Sequence, residues 1–534
     1  MTMMDVDLNT WTLFNHCDRH FGDVEIVTQV AIDKKFRYTY TEFANRTRQL
    51  MNALDSLNIE RGATVATLSW NTYRHLECYF AIPCSGRVLH TLNARLSPED
   101  LTFIINDAND VAILVASELL PLIEKIRGDI PSVKHIIVLD DDANASQIDS
   151  ALSYETLISD QPTTYTQLEI AERSPAGLCY TSGTTGRPKG VLYSHRSTFL
   201  HAINASTPSG MSICCSDAIL PVVPMFHASA WGMCHAAIAT GAKIVFAYPH
   251  LDPKSFVDLL VDEEVTLTAG VPTVWIALEA ELKSRRPLNL ALREIFSGGS
   301  QPPKALIERY GRELDITITQ GWGMTETSPL ASVARPKHSM RHMSREELLD
   351  KVSGQAGIPG PGIEVKLVDD DLHEVPWDNV SMGNLYVRGP WVVQSYLHGR
   401  GADSFEDAGW FKTGDVAIGS PDGYFVIADR TKDLIKSGGE WISSVDLEGA
   451  IMAIDGVIEA AVIAVPDDKW QERPLAAVVL APGATLTLEI LHEKLIKAGF
   501  AKWQLPDQIK YIEAVPRTSV GKFDKKVLRS NFVG

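Results

Sequence analysis

One short run, residues 180–190, combines hydroxyl groups, glycines and two cations, and this composition is suited to holding phosphate. Glycine removes the Cβ that would keep backbone N–H groups away from an anion, and the Ser and Thr hydroxyls add donors. Arg187 and Lys189 bring positive charge. The run is not the common nucleotide loop, because the second glycine counted from Gly183 would fall on Pro188. Apolar β-type runs on both sides predict a loop between two strands.

Further segments rich in glycine, acidic and basic residues follow along the chain. They are QGWGMTE at 320–326, WFKTGD at 410–415, DRTKDLIKSGGE at 429–440 and PRTSVGK at 516–522. With residues 181–190 they resemble, in the same order, the motifs of the AMP-forming adenylating enzymes. That superfamily comprises acyl-CoA synthetases, peptide-synthetase adenylation domains and firefly-type luciferases. The resemblance covers most of the chain and implies ATP, Mg²⁺ and, for the synthetases, coenzyme A as reaction components.

The chemistry of such enzymes explains the charged motifs. A carboxylate is a poor electrophile, so it is first joined to the α-phosphate of ATP as acyl-AMP, and a thiol then displaces AMP. By resemblance Glu326 is the Mg²⁺ ligand, since a carboxylate suits a hard cation, and Thr325 bonds the α-phosphate. The residues that would cradle the outer phosphates are Thr181, Ser182, Gly183, Thr184, Thr185 and Lys189.

The nucleoside part of ATP has its own set of implied contacts. Trp322, where relatives often carry tyrosine, is interpreted as the plane against adenine. Asp415 would accept hydrogen bonds from the ribose hydroxyls, with Arg430 beside it. The other residues assigned to ATP or AMP are Gly298, Gly299, Ser300, Gln320, Gly321, Gly323 and Met324.

The same resemblance implies that residues in the second half of the chain act in turn on one intermediate. Lys522 is the leading candidate for the catalytic lysine of adenylation, because it alone falls in the family's Gly-Lys position. Lys432 is the predicted hinge, about which the smaller domain rotates between the two steps. The loop for thioester formation comprises Lys436, Ser437, Gly438, Gly439, Glu440 and Trp441.

The acyl pocket is marked by PMFHASAW at 224–231. Amino-acid-activating relatives have an aspartate that pairs with the substrate ammonium where this chain has His227. An acid without an α-amino group is therefore predicted, with His227 among the catalytic residues and Trp231 as a wall or gate of its channel. Val271, Pro272 and Thr273 would line the same pocket, whereas the pattern leaves Trp275 equally consistent with core and pocket.

Composition restricts the class of protein. The net charge of −18 opposes broad binding to nucleic acid or an anionic membrane. No long apolar run and no basic segment before an apolar one occur, so a cytoplasmic protein without a transmembrane segment is predicted. The 7 cysteines are scattered and never spaced as C-x-x-C, which indicates reduced core residues.

The 534 residues exceed what one hydrophobic core organises. Strand-like and helical runs alternate, which predicts an α/β fold: a large N-terminal domain of layered α/β subdomains with a β-rich subdomain near 360–396. After the boundary at Lys432 a separate core begins. The predicted domains are therefore 1–431, which binds adenylate and acid, and 432–534, a small mobile α+β domain.

The predicted function is an ATP-dependent carboxylate–CoA ligase for a short- to long-chain apolar fatty acid or a thioether acid such as 3-methylthiopropionate. An aryl-acid ligase, a carrier-protein-loading enzyme and a luciferase-type oxygenase remain alternatives. A non-catalytic nucleotide sensor should have lost Lys522 or Glu326, yet both are present. Family likeness also allows a homodimer.

Overall fold

A computed structural model describes residues 2–140, 151–181, 187–248, 250–286, 289–406, 409–438, 440–518 and 523–533. The larger of two stacked sheets in it has nine strands. Its inner strands are parallel and both edges are antiparallel. In spatial order the strands are Ile358–Pro359, Leu330–Val333, Thr317–Gly323, Glu294–Ser297, Leu267–Gly270, Ala218–Pro221, Lys243–Phe246, Glu25–Ala31 and Lys34–Thr39.

A seven-stranded sheet forms the second layer, parallel except for its last pair. Its strands, in spatial order, are Leu152–Ser153, His135–Val138, Ala112–Val115, Thr64–Leu68, Val88–Thr91, Pro175–Tyr180 and Gly190–Ser194. One apolar cluster joins the two sheets, with Ile26 and Phe296 from the first and Val65 and Leu114 from the second. Separate clusters cover the outer faces, so the sheets and helices alternate in layers.

Helices fill the layers between and outside the sheets. Tyr40–Ser56 begins at Thr39, whose side chain and that of Glu42 form a capping box, and Pro272–Ser284 begins on a proline, which suits the first helical position. The other helices of this part are Thr10–His20, Tyr73–Cys84, Pro98–Ala108, Leu120–Ile126, Tyr154–Ser159, His195–Ser206, Met233–Thr240, Pro253–Asp262, Lys304–Arg309 and Arg345–Val352.

A five-stranded antiparallel sheet follows, made of Glu364–Val368, Met382–Arg388, Phe405–Glu406, Trp410–Gly419 and Phe425–Arg430. The sequence pattern predicts the β-rich region only to about residue 396. It extends to Arg430 because the glycine- and charge-rich motif at 410–415 is itself a strand, with buried and exposed residues partly alternating along it.

The last part of the chain has its own sheet and core. Its strands are Glu440–Ile442, Ile435–Ser437, Gln471–Leu480 and Val457–Asp467, with Gln508–Tyr511 added in parallel to Gln471–Leu480. Its helices are Ser444–Met452, Leu488–Lys497 and Lys525–Phe532. The two apolar clusters here draw only on residues from Ile435 onward, whereas Leu434 packs on Val416 and Ala428 of the preceding sheet.

The mixed α/β class with a large and a small part is thus confirmed, and the boundary at Lys432 stays a prediction. One expectation is wrong: Cys214 and Cys215 are exposed, because they lie in the turn before Ala218–Pro221, while the other five cysteines are buried. No helix within the described residues is both long and apolar enough to span a bilayer.

Candidate active site

The predicted ligand-binding residues gather at the carboxyl ends of parallel strands. Val271 follows Leu267–Gly270, Gly298 and Gly299 follow Glu294–Ser297, and Gly323 ends Thr317–Gly323. Because parallel strands end at the same edge of a sheet, these segments form one crevice. Gly323 has to be glycine on steric grounds: a Cβ there would lie 1.9 Å from the carbonyl oxygen of Pro329.

Tyr396 joins two of the predicted phosphate-site residues. Its hydroxyl donates a 2.6 Å hydrogen bond to Oε1 of Glu326, and the ammonium of Lys189 lies 4.8 Å from the centre of its ring. Burial and the nearby Glu326 carboxylate raise the pKa of the Tyr396 hydroxyl well above its usual value, so the phenol stays a donor. A lone tyrosine 70 residues from Glu326 gave no spacing signal, and the sequence analysis missed it.

The base of the phosphate loop is closed by Thr181 and Lys189. The N–H of Thr181 donates to the carbonyl of Lys189 at 3.0 Å, and the N–H of Lys189 donates to the Thr181 hydroxyl at 3.2 Å. The strand that follows the loop, Gly190–Ser194, is joined to the segment of Thr325 by Tyr193. The Tyr193 hydroxyl donates to the carbonyl of Thr325 at 2.8 Å. The predicted ligands Ser182, Gly183, Thr184 and Thr185 lie outside the described residues.

Asp415 links the predicted adenine and ribose contacts. The indole N–H of Trp322 donates to its Oδ2 at 3.0 Å, and Arg430 pairs with its Oδ1 at 2.8 Å. Asp415 and Arg430 face each other across neighbouring strands, and the Asp415 side chain is 3% exposed. A carboxylate can accept about four hydrogen bonds, so both oxygens retain acceptor capacity for ribose hydroxyls.

Trp231 lies in an unusual turn. The backbone is left-handed at every residue of Ala228–Gly232, with φ between 43° and 74°, and only the last is a glycine. Each non-glycine residue held this way costs about 1–2 kcal/mol, so the surrounding packing must impose the turn. The turn directs the Trp231 ring at Gly298, where an added Cβ would lie 3.2 Å from it.

His201 explains part of that turn and was not singled out from the sequence. A Cβ at Gly232 would lie 2.4 Å from the His201 ring, and the backbone N–H of Leu330 donates to His201 Nε2 at 3.0 Å. Burial, with a smaller contribution from His235, lowers the pKa of His201 to about 3. The imidazole therefore stays neutral and can accept the Leu330 hydrogen bond at neutral pH.

His227 borders a cavity between the two large sheets. The same cavity is lined by Thr91, Asn93, Leu96, Ile104, Tyr180, Thr181 and Phe226. The cavity places His227 near Thr181 at the base of the predicted phosphate loop. Trp275, by contrast, is fully buried in the outer core and its carbonyl accepts a hydrogen bond from Tyr310, so it is a core residue.

The predicted thioester loop is a tight hairpin in the small domain. Ser437 faces Glu440 across it, and Gly438 has a φ of 63°. The N–H of Gly438 donates to the carbonyl of Trp470 at 2.8 Å, and the N–H of Lys436 donates to Glu472 at 2.7 Å. The ammonium of Lys436 lies over the Trp441 ring. Gly439 and the catalytic candidate Lys522 lie outside the described residues.

Lys432 stands in a turn between the last strand of the large domain and this hairpin. The N–H groups of Asp433 and Leu434 both donate to the carbonyl of Arg430. Beside the turn, the N–H of Ser444 donates to the Asp429 carboxylate at 2.7 Å and Ser443 donates to the carbonyl of Ala428. The two sides of the predicted hinge are therefore in direct contact.

Comparison with known proteins gives this arrangement a family. Residues 14–397 match the family model described as AMP-binding enzyme, and residues 446–522 match the model of the AMP-binding enzyme C-terminal domain. The chain belongs to the AMP-binding enzyme family.

Individual members of the AMP-binding enzymes resemble nearly the whole chain. A long-chain-fatty-acid–CoA ligase of Thermus thermophilus is 45% identical, over 99% of this chain and 97% of its own. A 3-methylmercaptopropionyl-CoA ligase of Ruegeria lacuscaerulensis is 40% identical, over 99% and 98%. The crystal structure of the anthranilate CoA ligase AuaEII superimposes with a TM-score of 0.87 at 26% identity, covering 99% and 98%. The predicted enzyme class, an AMP-forming acid–CoA ligase that uses ATP and coenzyme A, is confirmed.

The residues of the crevice fit a nucleotide with its metal ion. Gln320 Oε1 and Ser297 Oγ are buried and have no hydrogen-bond partner among the described residues, at the strand ends where adenine is expected. The ammonium of Lys189 matches phosphate, and the carboxylate of Glu326 is the donor type that Mg²⁺ prefers.

Proposed function

We propose that this protein activates an apolar carboxylic acid as acyl-AMP in the crevice of the large domain and transfers the acyl group to coenzyme A. The observation that carries the first step is the contact of one side chain, Tyr396, with both Lys189 and Glu326. It holds a cation for phosphate and a carboxylate for a metal ion at a fixed separation. Such preorganised charges are the main source of catalysis in phosphoryl and nucleotidyl transfer.

In the adenylation step a substrate carboxylate oxygen bonds to the α-phosphorus and pyrophosphate leaves. Lys189 and the hydroxyls of the phosphate loop would bind the outer phosphates, Thr325 the α-phosphate, and Lys522 the carboxylate and α-phosphate together. Glu326 would hold Mg²⁺, which supplies positive charge to the phosphate oxygens. Asp415 and Arg430 would orient the ribose, with Trp322 against adenine.

In the second step the thiol sulfur of coenzyme A bonds to the acyl carbon, AMP leaves and the thiol loses its proton. Lys522 and the hairpin 436–441 belong to one small domain, yet each must reach the same acyl-AMP at a different step. We propose that the small domain rotates about Lys432 to present them in turn. The turn at Arg430–Asp433 and the contacts of Asp429 with Ser444 would rearrange or pivot during that rotation.

The acid is proposed to be an apolar acid of about three to ten carbons, straight-chain or with a thioether sulfur. His227 provides no negative charge for a substrate ammonium, and an unpaired ammonium in an apolar cavity costs several kcal/mol. The Trp231 ring, which lies against Gly298, would narrow the pocket. The names of the long-chain-fatty-acid and 3-methylmercaptopropionyl-CoA ligases among the relatives support an apolar acid, whereas the proposed length rests on Trp231.

The test is AMP and pyrophosphate release with coenzyme A over a panel of linear, branched, thioether, aryl and amino acids. We expect linear and thioether acids to have the highest kcat/KM. Preference for an α-amino acid would contradict the pocket interpretation, and preference for an aryl acid would favour the alternative that the anthranilate ligase represents. Trp231→Ala should move the optimum to longer acids, whereas the matched core variant Trp275→Phe should leave the optimum in place.

Two further proposals concern the setting of the enzyme. A homodimer is proposed from family likeness, and light scattering would check it. A cytoplasmic location is proposed from the sequence pattern and is tested by fractionation of the source cells.

A further inference from the structure

Arg473 is a buried cation that binds several separate segments of the small domain. Its side chain is 9% exposed, and its Nε and Nη2 pair with the two oxygens of Asp507 at 2.8 Å and 2.9 Å. Its Nη2 also donates to the carbonyl of Leu505 at 2.9 Å. Its Nη1 donates to the carbonyl of Trp503 and, at 2.9 Å, to the hydroxyl of Ser437.

Ser437 is the last residue of Ile435–Ser437 and pairs with Glu440, so it lies next to the turn of the hairpin proposed for thioester formation. On the same strand as Arg473, Gln471 pairs with Ser437, and Glu472 accepts the N–H of Lys436. The hairpin thus rests on residues 470–473, and Arg473 alone among these connects it to the segment 503–507. A planar guanidinium can hold partners in such fixed directions, which an ammonium cannot do.

We propose that Arg473 is a positioning residue for the thioester-forming step. It fixes Ser437, beside the turn of the hairpin 436–441, relative to the segment 503–507, so that the turn keeps one geometry when it reaches acyl-AMP. This inference rests on the function proposed for the hairpin. It assigns Arg473 no contact with substrate and no part in adenylation.

The two half-reactions separate this role from a general loss of structure. Pyrophosphate release in a single turnover measures adenylation, and acyl-CoA formation from supplied acyl-AMP measures thioester formation. Arg473→Lys keeps the positive charge but loses the several N–H donors of the planar guanidinium. We expect the rate of thioester formation to fall about 10- to 100-fold and the rate of adenylation to stay within about twofold of the parent. Ser437→Ala removes only the hydrogen bond between Arg473 and the hairpin, and it should lower the rate of thioester formation about threefold to tenfold.

Asp507→Asn is the graded comparison, because it weakens one contact of Arg473 with the segment 503–507 and leaves those with Trp503, Leu505 and Ser437 in place. We expect it to lower the unfolding temperature at least as much as Arg473→Lys does, with a smaller change in the ratio of the two half-reactions. The effects of Arg473→Lys and Ser437→Ala should be less than additive in the double variant, because both remove the hydrogen bond between Arg473 and Ser437.

Two results would overturn the inference: an Arg473→Lys variant with both half-reactions near the parent rates, or one in which both fall in parallel with the unfolding temperature. Failure of the proposed function looks different, because the parent protein itself would then form no acyl-CoA from any supplied acyl-AMP.

Discussion

The nucleotide crevice of the large domain and the hairpin 436–441 of the small domain are held in different ways. As whole residues, Asp415 and Glu326 are 2% and 7% exposed, and they bind side chains from distant parts of the chain. Trp441 at the hairpin is 38% exposed, and the described part of the hairpin is bonded to Trp470, Glu472 and Arg473 of its own domain. A site buried within one domain is preorganised by packing. A loop that must enter and leave a site is ordered by contacts within its own domain.

The largest expected effect comes from Lys522→Ala. We expect adenylation to need the Lys522 ammonium in addition to the residues of the buried crevice. Without it, pyrophosphate release should fall about 100-fold or more, as it does when a hydrogen-bond donor to the transition state is removed. Thioester formation from supplied acyl-AMP should remain within a few-fold of the parent. Equal loss in both assays would break the division between the two regions.

The next largest effect is expected for two substitutions at Tyr396, which are compared with each other. Tyr396→Phe removes the hydrogen bond to Glu326 and keeps the ring beside Lys189. A hydrogen bond to a charged group contributes about 1.5–2 kcal/mol, so the rate of adenylation should fall roughly 10- to 30-fold. Tyr396→Leu removes both contacts and should cost more. Single-turnover pyrophosphate release decides the order, and identical rates for Phe and Leu would leave the hydroxyl alone responsible.

A smaller effect is expected at the hairpin from Gly438→Ala. A side chain at a φ of 63° costs about 1–2 kcal/mol, and the new Cβ would lie 2.8 Å from the Trp470 ring. Thioester formation should slow roughly tenfold while adenylation is unchanged. Gly449→Ala, in helix Ser444–Met452 with open space around its Cβ, is the control and should leave both steps unaltered.

The smallest effect on activity is expected far from both regions, at Glu263. Burial opposes ionisation there, but hydrogen bonds from Arg37, Lys35 and Lys243 outweigh it and lower the pKa of Glu263 to about 2 from an ordinary value of 4.5. The native carboxylate thus stabilises the fold above pH 4.5, and this stability is lost as the pH falls from 4.5 towards 2.

For Glu263→Gln we expect a loss of roughly 1–3 kcal/mol at pH 7, because the cations are partly solvated. The loss should shrink across that acidic window, as denaturant unfolding at several pH values would measure, while both half-reactions at neutral pH stay near the parent rates. A loss that is constant with pH would contradict the ion-pair explanation.

Much of the architecture could be predicted from local patterns. The strands at Thr64–Leu68, Ala112–Val115 and Lys243–Phe246 are short apolar runs, and helix Tyr40–Ser56 has both its cap and its periodicity in the sequence. The β-rich sheet extends beyond its predicted end. The motif at 410–415 indicates ligand contacts by its residue types, yet it is also the first part of the strand Trp410–Gly419. Exposure of Cys214 and Cys215 depends on a turn that composition does not indicate.

The sequence by itself determined the family, the order of the motifs and the residue types that phosphate, ribose and a metal ion require, because these are properties of short segments. Only the tertiary structure decided which residues hold those segments in place. Tyr396, His201 and Arg473 act through partners 70, 129 and 36 residues away. Such pairings arise when strands and loops pack, and no local spacing encodes them.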